Sequence, residues 1–89
     1  MRYVKVVPDP TRPADYINTD MITEISVSYD DYRQMLLCIS IHTINGSYEH
    51  YVGRGMSVND ANNIVERLIY RILDARDMGN IINIDNYID

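Results

Sequence analysis

The dipeptide Asn45-Gly46 constrains the fold of this chain more than any other feature of its sequence. Both residue types tolerate the positive φ angles of a type I′ turn, so the pair favours a tight β-hairpin. The flanking segments 33–43 and 47–53 have the β-branched and aromatic composition of strands. We therefore predict a hairpin whose two-residue turn pairs Ile44 with Ser47.

Alternation along this hairpin divides its side chains between two faces, because successive side chains of a strand point in opposite directions. The predicted core face carries Met35, Leu37, Ile39, Ile41, Tyr48 and Val52. The predicted second face carries Leu36, Cys38, Ser40, His42, Ile44, Glu49 and Tyr51. In this register His42 lies opposite Glu49 as a charge pair, and His50 lies opposite Ile41 as a partly buried histidine with a local hydrogen bond.

A third strand is predicted over residues 22–29, where apolar and polar residues alternate. If Ile25 and Val27 join the core face, Ile25 must lie opposite Leu37, and the connection around Asp30 must have an odd length of three or five residues. A two-residue turn would instead place Glu24 in the core. The three strands form an antiparallel meander.

The two ends of the chain differ from this central part. Residues 2–7 read as a short strand, and the prolines of residues 8–16 predict a loop because proline lacks the ladder donor. Residues 58–78 carry apolar side chains at helical spacing, with Ser57 as the N-cap and Gly79 as the terminator. Residues 80–89 form an Ile-rich extension that is too apolar for a solvated tail.

These elements predict a single small domain over residues 1–89 of the α+β class. We expect a three- to four-stranded, mainly antiparallel meander sheet, packed on one face by a single long C-terminal helix, with a short Ile-rich C-terminal extension.

Composition and motifs disfavour several functions. The net charge of -5 opposes nucleic-acid binding, which depends on phosphate neutralisation by Lys and Arg. No apolar run is long enough for a membrane span, and the single cysteine fits a reducing cytoplasm, which is the expected location. The sequence has no spacing typical of a metal site, and its acidic residues, including Asp85, read as solvated charge. No catalytic constellation is identifiable, so we expect neither an enzyme nor a cofactor.

One candidate ligand site lies where the hairpin meets the helix. Arg54, Gly55 and Ser57 stand at the predicted helix start, where free backbone donors and the helix dipole favour an anion. The segment lacks the lysine ending of a P-loop, and Asp60 in the first turn competes with a phosphate. A tight turn with a serine cap explains the same residues structurally.

The main functional hypothesis is protein–protein interaction, because one helix covers only one side of a sheet. The candidate contact residues lie on the second face and in the extension: Leu36, Cys38, Ile44, Tyr51, Ile82, Ile84 and Tyr87. Tyr51 and Tyr87 are the candidate aromatic anchors. We expect a homo-oligomer, with a dimer favoured; a different protein partner is the alternative, and the extension acts either within its own chain or on a neighbour.

Overall fold

The computed structural model of the chain describes residues 2–30, 36–53, 56–74 and 80–87. These ranges contain six strands and an α-helix: β1 Tyr3–Val6, β2 Asp15–Asn18, β3 Ile22–Asp30, β4 Leu36–Thr43, β5 Gly46–Gly53, α1 Val58–Leu73 and β6 Ile81–Asn83. Short 3-10 helices span Thr19–Met21 and Ile84–Tyr87. The predicted α+β class, with antiparallel strands and one long helix, is confirmed.

Strands β3, β4 and β5 form an antiparallel sheet in that order, here called the meander sheet. Helix α1 packs against it, mainly on β3 and β4. Buried side chains from the predicted core face, among them Leu37, Ile39 and Ile41, meet Ile64 and Leu68 of the helix in one core. The predicted core face of the hairpin thus packs against α1.

The hairpin turn differs from the predicted one. Thr43 lies opposite Gly46, so the turn residues are Ile44 and Asn45, and the expected Ile44–Ser47 pairing is wrong. The Thr43 hydroxyl stabilises this turn, because it accepts from the Asn45 N–H at 3.2 Å and donates to the Gly46 carbonyl at 3.0 Å. Gly46 has φ of +147°, a conformation that favours glycine. For residues 38–43 the β5 partners are therefore shifted by two residues, which leaves the two faces unchanged; the register is irregular beyond them, between Leu37 and Cys38.

The pairing of β3 with β4 is also shifted. Ile25 lies opposite Ile41 instead of Leu37, so that part of the prediction is wrong. The shift is again even, and Ile25 and Val27 still pack against the core. Asp30 lies opposite Leu36, which fits the five-residue alternative for the connection; residues 31–35 themselves lie outside the described residues.

Helix α1 begins as predicted and ends earlier. The Ser57 hydroxyl accepts from the Asp60 N–H at 3.1 Å, which confirms the N-cap. The helix ends at Leu73 with Asp74 as its C-cap, so the predicted continuation to residue 78 is wrong. Arg2 explains this end, because its guanidinium donates to the backbone carbonyls of Arg71 and Ile72. Gly79 lies outside the described residues.

A second three-stranded sheet joins the two ends of the chain, and is here called the terminal sheet. Its central strand β1 pairs antiparallel with β2 and parallel with β6. The predicted loop over residues 8–16 is therefore too long, since β2 begins at Asp15. Ile17 accounts for the extra strand, because it pairs with Val4 and is buried in the core.

Residues 80–87, here called the C-terminal segment, fold onto their own chain. The Tyr3 N–H donates to the Asn80 carbonyl at 2.8 Å, and Ile82 and Ile84 are buried in the common core. The two sheets are linked where the Tyr51 N–H donates to the Val7 carbonyl at 2.9 Å. Both sheets and α1 therefore share one hydrophobic core.

Candidate interaction surface

The second face of the meander sheet is largely polar. The Ser28 and Ser40 hydroxyls hydrogen-bond to each other at 2.7 Å. The His42 ring hydrogen-bonds to the Ser26 hydroxyl through Nε2 at 3.3 Å and to the Ser47 hydroxyl through Nδ1 at 2.7 Å. The expected His42–Glu49 charge pair is wrong, because the shifted register places Ser47 opposite His42 and Glu49 opposite Ser40.

The contact residues predicted on this face do not form a joint apolar patch. Cys38 is 1% exposed and so lies out of reach of a partner. Tyr51 is partly buried, and Ile44 stands alone at the hairpin turn, where it is 73% exposed. The side chain of Leu36 lies outside the described residues.

The contact residues predicted in the extension are also occupied within the chain. Ile82 is buried, Ile84 is fully buried, and Tyr87 packs partly buried against the core. The expectation that Ile82 and Ile84 present a surface to a partner is therefore corrected. Ile82 lies in β6, which pairs with β1, and Ile84 begins the 3-10 helix that follows; burial of both side chains stabilises their own chain.

The side chain of His50 is fully buried. It lies between its own strand β5, the residue after β1 and the C-terminal 3-10 helix. Its Nδ1 accepts from the Val7 N–H at 2.9 Å, and its Nε2–H donates to Asp85 Oδ1 at 2.7 Å. The expected local hydrogen bond is therefore made with distant partners, and Asp85 is a specific acceptor instead of a purely solvated charge. His50 lies opposite Ile39, and not opposite Ile41 as predicted.

Burial lowers the pKa of His50 below its usual value of 6.5, because the charged ring would lose its hydration. The hydrogen bond and charge of Asp85 act in the opposite direction, and the charge of Lys5 lowers the pKa further. Both ring nitrogens are already bonded to the protein. The ring therefore has no free nitrogen for a substrate, and its geometry is that of a structural histidine.

The predicted anion site coincides with the start of α1. The Ser57 side chain is engaged in capping, while Arg54 and Gly55 lie outside the described residues. An open depression of about 220 Å³ lies beside the cap, lined by Met56, Asp60, Asn63, Ile64, Arg67 and Tyr87. Its two charged groups have opposite signs, so Asp60 offsets the attraction of Arg67 for an anion.

A larger and more apolar groove lies between β3 and the second half of α1. It has a volume of about 310 Å³ and is here called the edge groove; its lining residues are Thr19, Ile22, Thr23, Glu24, Ile25, Ile69, Ile72 and Leu73. Leu73 is 73% exposed and Ile69 is 38% exposed at its rim. Ile69 and Leu73 belong to the apolar residues at helical spacing in residues 58–78, and that pattern gave no sign that their side chains remain exposed.

The backbone beside this groove is a sheet edge. Within the described ranges β3 pairs with β4 alone, so the other side of this nine-residue strand has backbone donors and acceptors without a strand partner. The segment contains no proline, and proteins often place prolines on an edge to block pairing. The edge groove and the β3 edge together form the candidate surface.

The described residues give two further negative findings. In those parts of the chain, no group of three or more His, Cys, Asp or Glu side chains could hold a metal ion. None of the helices described is long and apolar enough to span a membrane.

Comparison with known proteins adds no family. No model of a protein family matches the chain, and neither a curated protein nor a solved structure matches it. The functional inference therefore depends on the geometry of the candidate surface.

Proposed function

We propose that this chain is a protein-interaction module that self-associates as a dimer through the β3 edge and the edge groove. The observation that carries the proposal is the open apolar rim of Ile69 and Leu73 directly beside the edge of β3 that has no strand partner within the described ranges. This replaces the surface expected from the sequence, the second sheet face with the C-terminal segment, because the second face is polar and the segment is buried.

The sequence of β3 suits pairing with a second copy of itself. If two β3 strands pair antiparallel about Ser26, Ile25 of each lies opposite Val27 of the other, on the face that carries α1. Glu24 then lies opposite Ser28, so no carboxylate faces its own copy. Such pairing about a two-fold axis is closed, which limits assembly to a dimer.

The same arrangement covers the groove. A two-fold axis perpendicular to the sheet keeps both α1 helices on one side of a continuous six-stranded sheet. The exposed Leu73 side chains then lie next to apolar surface instead of water. Burial of that surface and formation of main-chain hydrogen bonds both favour association.

Native mass spectrometry and sedimentation of the purified chain test this proposal. We expect a species of twice the chain mass of 10.3 kDa at high micromolar concentration. Leu73→Lys should shift the population to monomer, because a charged group would replace an apolar contact. Ile44→Lys is the matched control, since Ile44 is equally exposed but does not line the edge groove.

The added lysine has the same effect on net charge in both variants. It makes the net charge of -5 less negative, so electrostatic repulsion between copies decreases. A loss of dimer in Leu73→Lys alone therefore cannot come from the change in net charge. A monomeric wild-type chain throughout the concentration range would contradict the proposal. Equal loss of the dimer in both variants would also contradict it, provided that circular dichroism shows both to be folded.

The anion-binding alternative at Arg54, Gly55 and Ser57 remains a prediction. It requires that phosphate raise the thermal midpoint of the wild-type chain and that Arg54→Ala remove this effect. The cap made by Ser57 and the charge of Asp60 weigh against it.

A further inference from the structure

His50 connects the C-terminal segment to the rest of the fold. It belongs to β5, and its ring bonds to Val7, just beyond β1, and to Asp85 in the C-terminal 3-10 helix. The ring is fully buried while the Asp85 side chain is 56% exposed. One side chain therefore holds three parts of the chain that are distant in sequence.

The two hydrogen bonds allow only one arrangement of the ring proton. Because the Val7 backbone N–H is a donor, Nδ1 must be unprotonated, and the proton lies on Nε2 toward Asp85. A second proton would have to bind Nδ1, where it would point at the Val7 N–H. Protonation therefore breaks the bond to Val7 and places two donors against each other in a buried site.

The C-terminal segment has few other attachments to the sheets. Strand β6 has three residues, compared with nine in β3 and eight in β4. Apart from its pairing with β1, the segment is held by the burial of Ile82 and Ile84, by packing against α1 and by the hydrogen bond from Tyr3 to Asn80. A short element of this kind is expected to open with less free energy than the meander sheet.

We propose that protonation of His50 releases the C-terminal segment from β1, while the meander sheet and α1 remain folded. Asp85, from the 3-10 helix, and Lys5, from β1, are the charged groups that act on the ring. The carboxylate of Asp85 opposes release because it stabilises a charged ring, whereas Lys5 and burial favour it.

The direction of the pH effect follows from the lowered pKa of the buried ring. Between that pKa and the usual value of 6.5, the docked form holds a neutral ring and the released form binds a proton. The equilibrium constant for release therefore increases about tenfold for each unit of falling pH in this interval. The interaction proposed at β3 plays no part in this inference.

Hydrogen exchange followed by NMR on the full chain tests the proposal. Between about pH 7 and pH 5 we expect protection factors of amides in residues 81–85 to fall by up to about tenfold per pH unit and to stay well below those of β4, which report global unfolding, at every pH. His50→Gln should abolish this dependence, because the amide side chain can accept from Val7 and donate to Asp85 but does not titrate. His42→Gln, which removes the other histidine, should retain it.

A second measurement, on the wild-type chain, tests the role of His50 even if His50→Gln fails to fold. Ring nitrogen chemical shifts of the wild-type chain report the tautomer and titration of each histidine. We expect the Nε2–H tautomer of His50 near pH 7 and release that follows His50 titration, not His42 titration.

Three outcomes would overturn the proposal. The first is an Nδ1–H tautomer of His50 at neutral pH. The second is unchanged pH dependence in a folded His50→Gln variant. The third is protection of residues 81–85 that equals that of β4 at each pH, which would mean that the segment opens only by global unfolding.

Discussion

The guanidinium of Arg2 donates a hydrogen bond of 2.7 Å to the backbone carbonyl of Arg71, 69 positions later in the chain. A second donor of the same group bonds to the carbonyl of Ile72. These carbonyls belong to the last turn of α1, where that of Arg71 also accepts from the N–H of the C-cap residue Asp74 at 3.3 Å. The residue before β1 therefore stabilises the end of a helix that packs on a different sheet.

Replacement of Arg2 should consequently destabilise the fold. We expect Arg2→Ala to lower the free energy of unfolding by about 1 kcal/mol, because charged hydrogen bonds at a helix C-terminus are lost. Arg2→Lys should recover only part of this, since lysine lacks the forked donors. Urea denaturation measures the effect, with Arg67→Ala on the exposed helix surface as the control. A loss as large in the control would argue against the capping role.

The C-terminal segment offers a matched pair of isoleucines. Ile84→Ala should lower the free energy of unfolding by about 2–5 kcal/mol, because it leaves a cavity at a fully buried site. Ile81→Ala, at a residue that is 55% exposed in the same segment, should cost less than about 1 kcal/mol. Similar losses at the two positions would contradict the docking of the segment on its own chain.

The hairpin turn depends on the backbone of Gly46. Gly46→Ala should cost about 1 kcal/mol, because φ of +147° is strained for any residue with a Cβ atom. No neighbouring atom lies within 4 Å of an added Cβ, so the loss would be conformational and not steric. Thermal denaturation should show a much smaller effect for Ile44→Ala, the exposed turn residue. A neutral Gly46→Ala would contradict this turn geometry.

The global stability of the chain should depend on pH through His50. Since its pKa is lowered in the folded state, the unfolded state binds more protons just below the usual value of 6.5. The free energy of unfolding should therefore be highest above that pH and decrease as the pH falls toward the lowered pKa. Urea midpoints above about pH 5 avoid most carboxylate titration. His50→Gln should flatten the profile, and His42→Gln should leave it as in the wild type.

The alternation of residues predicted the faces of the meander sheet but not its pairing. Ile25, Ile39 and Ile41 lie on the core side as expected, because the errors in register at these residues were even. The pairing itself depends on details of the turn. The Thr43 hydroxyl holds a turn at Ile44 and Asn45, although the glycine signal pointed one residue later.

The terminal sheet was harder to predict because its stability comes from contacts between distant segments. Ile17 follows a proline-rich stretch and shows no strand alternation, and its burial against Val4 decides that β2 forms. The hydrogen bond between His50 and Asp85 forms only because β6 docks beside β1. It therefore could not be predicted from the sequence around either residue. The exposure of Leu73 in the edge groove likewise depends on the position of the end of α1 relative to β3, which is a tertiary contact.

The pairing of Tyr3 with Ile81 also determines the order in which the molecule assembles on the ribosome. Strand β1 is synthesised before the other five strands described, yet its parallel neighbour β6 emerges only after the whole meander sheet and α1. During that time β1 has β2 as its sole ladder partner, and Val4 and Val6 lack the cover that Ile82 provides later. Because contacts of such long sequence separation form slowly, the meander sheet and α1 are expected to fold first, and the nascent chain to be most prone to misassociation before β6 is made.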